Sequence, residues 1–355
     1  MPREASYRVR GKIDRRFHVL NTVMSTHETN DLAALLRTLP PAPERWVRRA
    51  HRIPSAARRP RPFGRFLQTF GGSALVAHSA AEALEPSELP AWSLHPADVQ
   101  RIRVRAEWPA RADRDWAFGG ATGEGVRVCV LDSGIDGDHP KVAGIDGAVA
   151  VVVGDDGELR IEDDAEGDLC GHGTACASVI RSIAPQCELH SVRVLGEGFT
   201  GSGPAFLAGL RWALDQRFDV INMSLSTTKA EFGAQLRELA DDAYFRRSLL
   251  ISSAHNLPVE SYPWRFASVI SVGSHEEPDP LAFYFNPSPP VEFFARGVDV
   301  DVAWLNGAEM RCSGNSFAAP HISGICALIL SKHPELRPFE LKNLLFHIAN
   351  NVGGQ

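Results

Sequence analysis

The sequence predicts an α/β protein in two parts: a large parallel-sheet domain over residues 113–355 and a smaller α+β domain over 1–112. Two observations carry this. From Val126 onward, short apolar runs alternate with amphipathic stretches of ten or more residues, the pattern of a parallel sheet covered by helices on both faces. Before that, residues 12–107 read in the order βαββαβ, a ferredoxin-like unit. Charge divides at the same place. Residues 1–119 carry 20 basic and 12 acidic side chains and the remainder 17 and 31, so the two parts should attract each other.

In the first part, Arg16–Leu20 reads as a strand and Thr29–Leu39 as a helix capped by Asn30 or Asp31, with apolar residues at helical spacing. An Arg/Pro-rich insertion over about 40–62 follows and reads as an exposed loop. Arg65–Phe70 and Ala74–His78 flank Gly71-Gly72 as a hairpin, Ala80–Leu89 is helical, and Val99–Arg105 alternates as a strand. In the second part the strands are Val126–Leu131, Glu188–Leu195, Val220–Leu225, Ser248–Ser253 and Val269–Val272. The helices are His172–Ile183, Pro204–Gln216, Ala230–Phe245 and a pair within Ser316–Ile348.

The termini and composition exclude some classes. No apolar segment follows the charged N-terminus and no 18 uncharged apolar residues run together, so neither an ordinary secretion signal nor a membrane span is expected and the expected location is the cytoplasm. Six cysteines without a CxxC pair read as buried free thiols. The N-terminal arginines lack aromatic interleaving, so nucleic acid is not an expected partner; an Arg-rich nucleic-acid adaptor would show itself by salt-dependent binding of residues 1–119.

Three residues carry candidate chemistry. Asp132 ends the first strand of the large domain, where functional groups of parallel sheets gather, although an acid there also caps turns. His172 lies between Gly171 and Gly173 at a helix start. Ser316 opens an Ala-rich helix, where a serine is ordinarily a cap but also sits beside unpaired N–H groups. In the order Asp, His, Ser they match one chain order known for a nucleophile, its base and the group that orients the base.

Here the sequence resembles the subtilisin-like serine peptidases, or subtilases. Val130–Ile135, Gly171–Thr174 and Gly314–His321 match the three signatures of that family, and Val220–Leu225, Ser253–Asn256, Tyr262-Pro263 and Ser268–Gly273 extend the resemblance from about Trp116 to the C-terminal helix. The resemblance implies a three-layer subtilisin-like catalytic domain and a serine endopeptidase in which Ser316 attacks, His172 shuttles the proton and Asp132 orients His172. It further implies that the Asn256 amide and the Ser316 N–H bind the oxyanion. An extended peptide or protein substrate would lie between Gly201-Ser202-Gly203 and Ser224-Leu225-Ser226. The first part, 1–112, would be an inhibitory and chaperoning prodomain acting within the same chain and cut near residues 105–115. The alternative is a catalytically silent scaffold that binds an extended peptide, against which stand Asp132, His172, Ser316 and Asn256, all present.

Three departures from the family bear on substrate and metal. Ser226-Thr227 stand where the family commonly has two glycines, and His255 precedes Asn256 beside Ala254, so a narrower or more polar pocket for the residue before the cut is expected. Asn315 stands where threonine is usual. The helix from His172 runs through Ile183-Ala184-Pro185 into the next strand without a calcium-binding loop, and the acidic run Asp155-Asp156 and Asp163-Asp164 lacks a Gly-punctuated ligand set. No metal and no cofactor are expected.

Overall fold

The computed structural model describes residues 108–109 and 112–352; the predicted βαββαβ unit, its Arg/Pro-rich insertion and the processing segment up to 107 lie outside the described residues. From its N-terminal side the domain runs α1 (Arg114–Phe118), β1 (Arg127–Asp132), β2 (Gly147–Val153), β3 (Leu159–Asp163), α2 (His172–Ile183), β4 (Glu188–Arg193), β5 (Leu195–Gly196), β6 (Thr200–Gly201), α3 (Gly203–Asp215), β7 (Val220–Met223), α4 (Gly233–Arg246), β8 (Leu249–Ser253) and β9 (Val269–His275). It continues β10 (Phe283–Phe285), β11 (Phe293–Arg296), β12 (Val300–Ala303), β13 (Glu309–Cys312), α5 (Asn315–Lys332) and α6 (Pro338–Ile348).

Nine strands form one sheet in the order β10-β11-β9-β8-β7-β1-β4-β2-β3. The pairings from β11 through β2 are parallel, and the two outermost, β10 with β11 and β2 with β3, are antiparallel. Strand β1 shows why the sheet is covered on both faces. Its side chains alternate, Val128 and Val130 entering one core and Cys129 and Leu131 the other, as the two-residue period of a strand requires. The first core is filled by α2, α5 and α6, the second by α3 and α4. Three layers result, as the alternation of strands and helices predicts.

Helix α5 lies in the first core and is buried from Ser316 through Leu330, apolar around its whole circumference. Pro320 sits inside it. A proline has no N–H, so the carbonyl four residues earlier, that of Ser316, loses its helical donor. That carbonyl instead accepts from the Ser224 hydroxyl at 2.7 Å and the Cys176 thiol at 3.6 Å. The sequence thus leaves an open acceptor where two neighbouring elements can pin the helix start.

The hairpin of β2 and β3 and the strands β10 to β13 are additions to the predicted set. The acidic run falls on that hairpin: the Asp164 carboxylate receives the guanidinium of Arg193 at 3.0 Å through both Nε and Nη2, and Asp156 pairs with Arg160. All six cysteines are buried and none forms a disulfide. Among the described residues no helix is long and apolar enough to cross a membrane.

Candidate active site

In a parallel sheet the strand ends, not the strand middles, are open to ligands, and the crevice forms where successive connections leave in opposite directions. Here that point is the carboxyl end of β1, flanked by β4 on one side and β7 on the other. Asp132 is the last residue of β1, His172 the first of α2 and Ser316 the second of α5, so three elements deliver the three side chains by their ends.

Asp132 is fully buried and its Oδ1 accepts the Ser133 backbone N–H at 2.8 Å. The same oxygen meets His172 Nδ1 at 2.8 Å. A carboxylate there can only accept, which fixes the proton on Nδ1 and leaves Nε2 with its lone pair. Nε2 is buried and without a hydrogen-bond partner. Ser316 is fully buried, and its hydroxyl donates a long 3.4 Å bond to the Ser224 carbonyl. The His172 ring lies 5.8 Å from the ring of Phe317, the residue next to Ser316.

The electrostatics of His172 are a contest. Burial pulls its pKa down, but the Asp132 carboxylate, by charge and by hydrogen bond, with Asp168 behind it, outweighs burial and holds it above the ordinary histidine value of 6.5. A base must be neutral to accept a proton. We therefore expect kcat/KM to rise with pH along one ionisation whose midpoint lies above 6.5, read from a pH–rate profile. The linked stability has the opposite sign: a raised folded pKa stabilises the protein fully below the unfolded value, and that increment is lost as pH rises through the folded value. Thermal denaturation over the same window should show the loss. A midpoint at or below 6.5 would overturn the assignment.

Asp168, which sequence reasoning missed, holds the base in place. Its Oδ1 accepts from the Ser133 hydroxyl and from the N–H groups of Cys170 and Gly171, and its Oδ2 from the N–H and hydroxyl of Thr174, all at 2.6–2.9 Å. An acid four residues before His172, where the Gly-His-Gly stretch opens α2, is the signal that was there to find: the orphan N–H groups of a helix start need an acceptor.

The glycines beside His172 have separate reasons. Gly171 has φ +87°, and a Cβ there would come within 2.6 Å of the Trp304 ring. A Cβ on Gly173 would come within 2.0 Å of the Gly134 carbonyl oxygen.

On the other flank of Ser316, Asn256 Oδ1 accepts the backbone N–H of Asn315, the first residue of α5, at 2.9 Å. Because that N–H can only donate, the amide orientation is determined, and Nδ2 is left buried and without a partner. An orphaned donor and an orphaned imidazole nitrogen thus lie on elements that both meet the start of α5.

The substrate-binding candidates divide. Gly201, Ser202, Gly203, Leu225 and Thr227 line one cavity with Val194, Leu195 and Phe206, of about 10 Å³, room for no more than a water. The extended segment, however, is Thr200–Gly201. Ser202 caps α3, its hydroxyl accepting the Ala205 N–H at 3.1 Å, and Gly203 opens the helix. Ser-Gly-Pro before an apolar run is an N-cap signature. Ser224 and Leu225 are buried, and the Ser224 hydroxyl anchors the Ser316 carbonyl. The Ser226 hydroxyl is buried without a partner, while Thr227 pairs with Tyr262 through two backbone bonds of 2.9 Å. Ala254 is buried and His255 half-buried, its Nδ1 accepting the Leu257 N–H at 3.0 Å. Phe199, not anticipated, has φ +60° and stands edge-on to His172 at 6.0 Å.

Among the described residues, one cluster offers donors to a metal: Asp132, His172 and Cys176 have ligand atoms within 4.8 Å of one another. Burial and the neighbouring Asp132 push the Cys176 thiol well above its ordinary pKa. A metal ion bound there would have to displace that thiol proton.

Acid, imidazole and hydroxyl at the carboxyl edge of a parallel sheet define a serine hydrolase. The profile of the subtilase family matches residues 123–355. Subtilisin DY of Bacillus licheniformis is 30% identical over 251 residues, covering 66% of this chain and 87% of that protein. The thermostable alkaline protease of Halalkalibacterium halodurans is 29% identical over 248 residues, covering 66% of this chain and 64% of that protein, so the chain spans just under two thirds of its length. The solved structure of a cold adapted subtilisin-like serine proteinase superposes with a TM-score of 0.53 at 26% identity, covering 66% of this chain and 86% of that one. The chain belongs to the subtilase family.

Proposed function

We propose that the protein is a selective serine endopeptidase in which Ser316, His172 and Asp132 form the reacting triad. The Ser316 oxygen adds to the peptide carbonyl while its proton passes to His172 Nε2. Asp132 stabilises the resulting imidazolium, and the negative oxygen receives the Asn256 Nδ2 and Ser316 N–H donors. His172 then gives the proton to the departing amine, leaving an acyl-enzyme on Ser316, and water repeats the sequence in reverse. The observation that supports this most directly is the 2.8 Å Asp132–His172 contact that leaves Nε2 buried and unpartnered.

The substrate is an extended peptide or protein segment lying between Gly201-Ser202-Gly203 and Ser224-Leu225-Ser226, and the side chains of Ser226, Thr227 and His255 restrict the residue before the cut. Residues 1–112 act as an inhibitory prodomain removed by self-processing near 105–115, in keeping with the opposite charges of the two parts. The protein works in the cytoplasm without a required calcium ion.

The test is labelling with a fluorophosphonate, followed by peptide mapping and sequencing of the new N-terminus. Wild type should carry the label on Ser316, and His172→Ala should lose it. Equal labelling of both proteins would overturn the triad, and an unshortened wild-type chain would overturn self-processing.

A further inference from the structure

The carboxamide of Asn315 ties the start of the loop that carries Asn256, and the end of β9, to the start of α5. Its Oδ1 accepts from Ser274, at the end of β9, through the backbone N–H at 2.9 Å and the hydroxyl at 2.8 Å. Its Nδ2 donates to the carbonyls of Ala254 at 3.1 Å and His255 at 3.4 Å. Its backbone N–H donates to Asn256 Oδ1 at 2.9 Å. Strand β8 ends at Ser253, and the last backbone bond to its neighbour is from the Ala254 N–H to Val272 at 2.8 Å. Past that point the ladder gives out, and Leu257 and Val259 are already exposed. Asn256 therefore sits where sheet pairing no longer fixes the backbone.

We propose that Asn315 is a positioning residue for the oxyanion donor, holding the loop so that Asn256 Nδ2 faces the reacting carbonyl. This rests on the reading of Asn256 as that donor. These contacts require an amide. One planar group must present an acceptor to Ser274 and a two-hydrogen donor to the Ala254 and His255 carbonyls. Aspartate has the same shape but sets an anionic oxygen against those two carbonyls, and threonine offers no amide donor. The backbone N–H of residue 315 orients the Asn256 amide in any variant, whereas the side chain places the loop that carries it. Donors in an oxyanion site act through placement as much as through presence, because they must meet charge where it develops.

The experiment compares Asn315→Asp in the wild-type background and in Asn256→Ala, with the best-cleaved member of a quenched-fluorescent peptide library as substrate. Rates are normalised per reactive site by fluorophosphonate titration, which separates misfolding from slow chemistry. We expect Asn315→Asp to lower kcat by about ten- to a hundredfold with KM held within about twofold. We expect it to lower the already slowed Asn256→Ala protein by no more than about threefold, the non-additivity of residues acting as one unit. Asn315→Thr is read the same way should the aspartate variant not fold. An equal loss in both backgrounds, or a raised KM with kcat kept, overturns the inference while leaving Asn256 as donor. Wild-type kcat in Asn256→Ala overturns the donor reading itself, and the inference with it.

Discussion

Ser316→Ala is expected to lower kcat by about a millionfold, the magnitude known for members of this family when the serine or histidine of the triad is removed. The size follows from covalent chemistry: without the hydroxyl no acyl-enzyme forms, and only binding and the oxyanion donors remain to favour hydrolysis. The fold should not change. The Ser316 hydroxyl makes one long contact, 3.4 Å to the Ser224 carbonyl, while the contacts that pin the helix start go to the Ser316 carbonyl, which alanine retains. Stability should therefore stay within about 1 kcal/mol of wild type, measured by denaturant unfolding, and affinity for an uncleaved peptide should be kept. The variant should also keep the N-terminal residues that the proposed self-processing would remove from wild type. Activity above about one per cent of wild type would point to a different nucleophile.

What could be read from the sequence was what lies at the ends of elements. Asp132, His172 and Ser316 each terminate or open a segment whose period is strong, and the predicted helix at His172 has the bounds found in the structure. Groups within one strand or helix betray themselves by period; groups that act across elements do not. Asp168 belongs to no element; its contacts to Cys170, Gly171 and Thr174 are local, a capping pattern that went unread, and only that to Ser133, 35 residues away, needs the fold. Asn315 stood out only as a departure from the usual threonine, because its partners, Ser274 and Ala254, lie 41 and 61 residues away. The hairpin of β2 and β3 escaped for a different reason. Leu159 and Ile161 do alternate with Arg160 and Glu162, but two half-buried apolar residues on an outermost strand, set within an acidic run, are too few to mark it. A short Gly/Ser stretch suits a substrate-facing loop and a helix cap equally, and Pro204 decides for the cap at Ser202.

Gly173→Ala is expected to lower kcat by about ten thousandfold, comparable to losing the triad aspartate, through a single methyl group that touches no substrate. The added Cβ would stand 2.0 Å from the Gly134 carbonyl oxygen and 3.3 Å from Asp132 Cβ. The first of these is backbone and cannot step aside, so the start of α2 must move away from the end of β1. Those are the two points that carry His172 and Asp132, and their 2.8 Å contact is the first thing such a movement breaks. Overpacking of this kind also destabilises, by about 1–3 kcal/mol, so loss of activity alone would not separate geometry from unfolding. Ser178→Ala supplies the comparison. It lies on the same helix and removes the acceptor of the Ala303 N–H at 3.1 Å, a buried bond remote from the imidazole, costing about 1–3 kcal/mol. If Ser178→Ala keeps its kcat while Gly173→Ala loses it at similar stability, the glycine is there to let a helix start and a strand end approach closely enough to share a proton. If both lose activity together, the site fails through stability of α2, and the close approach is not what the chemistry depends on.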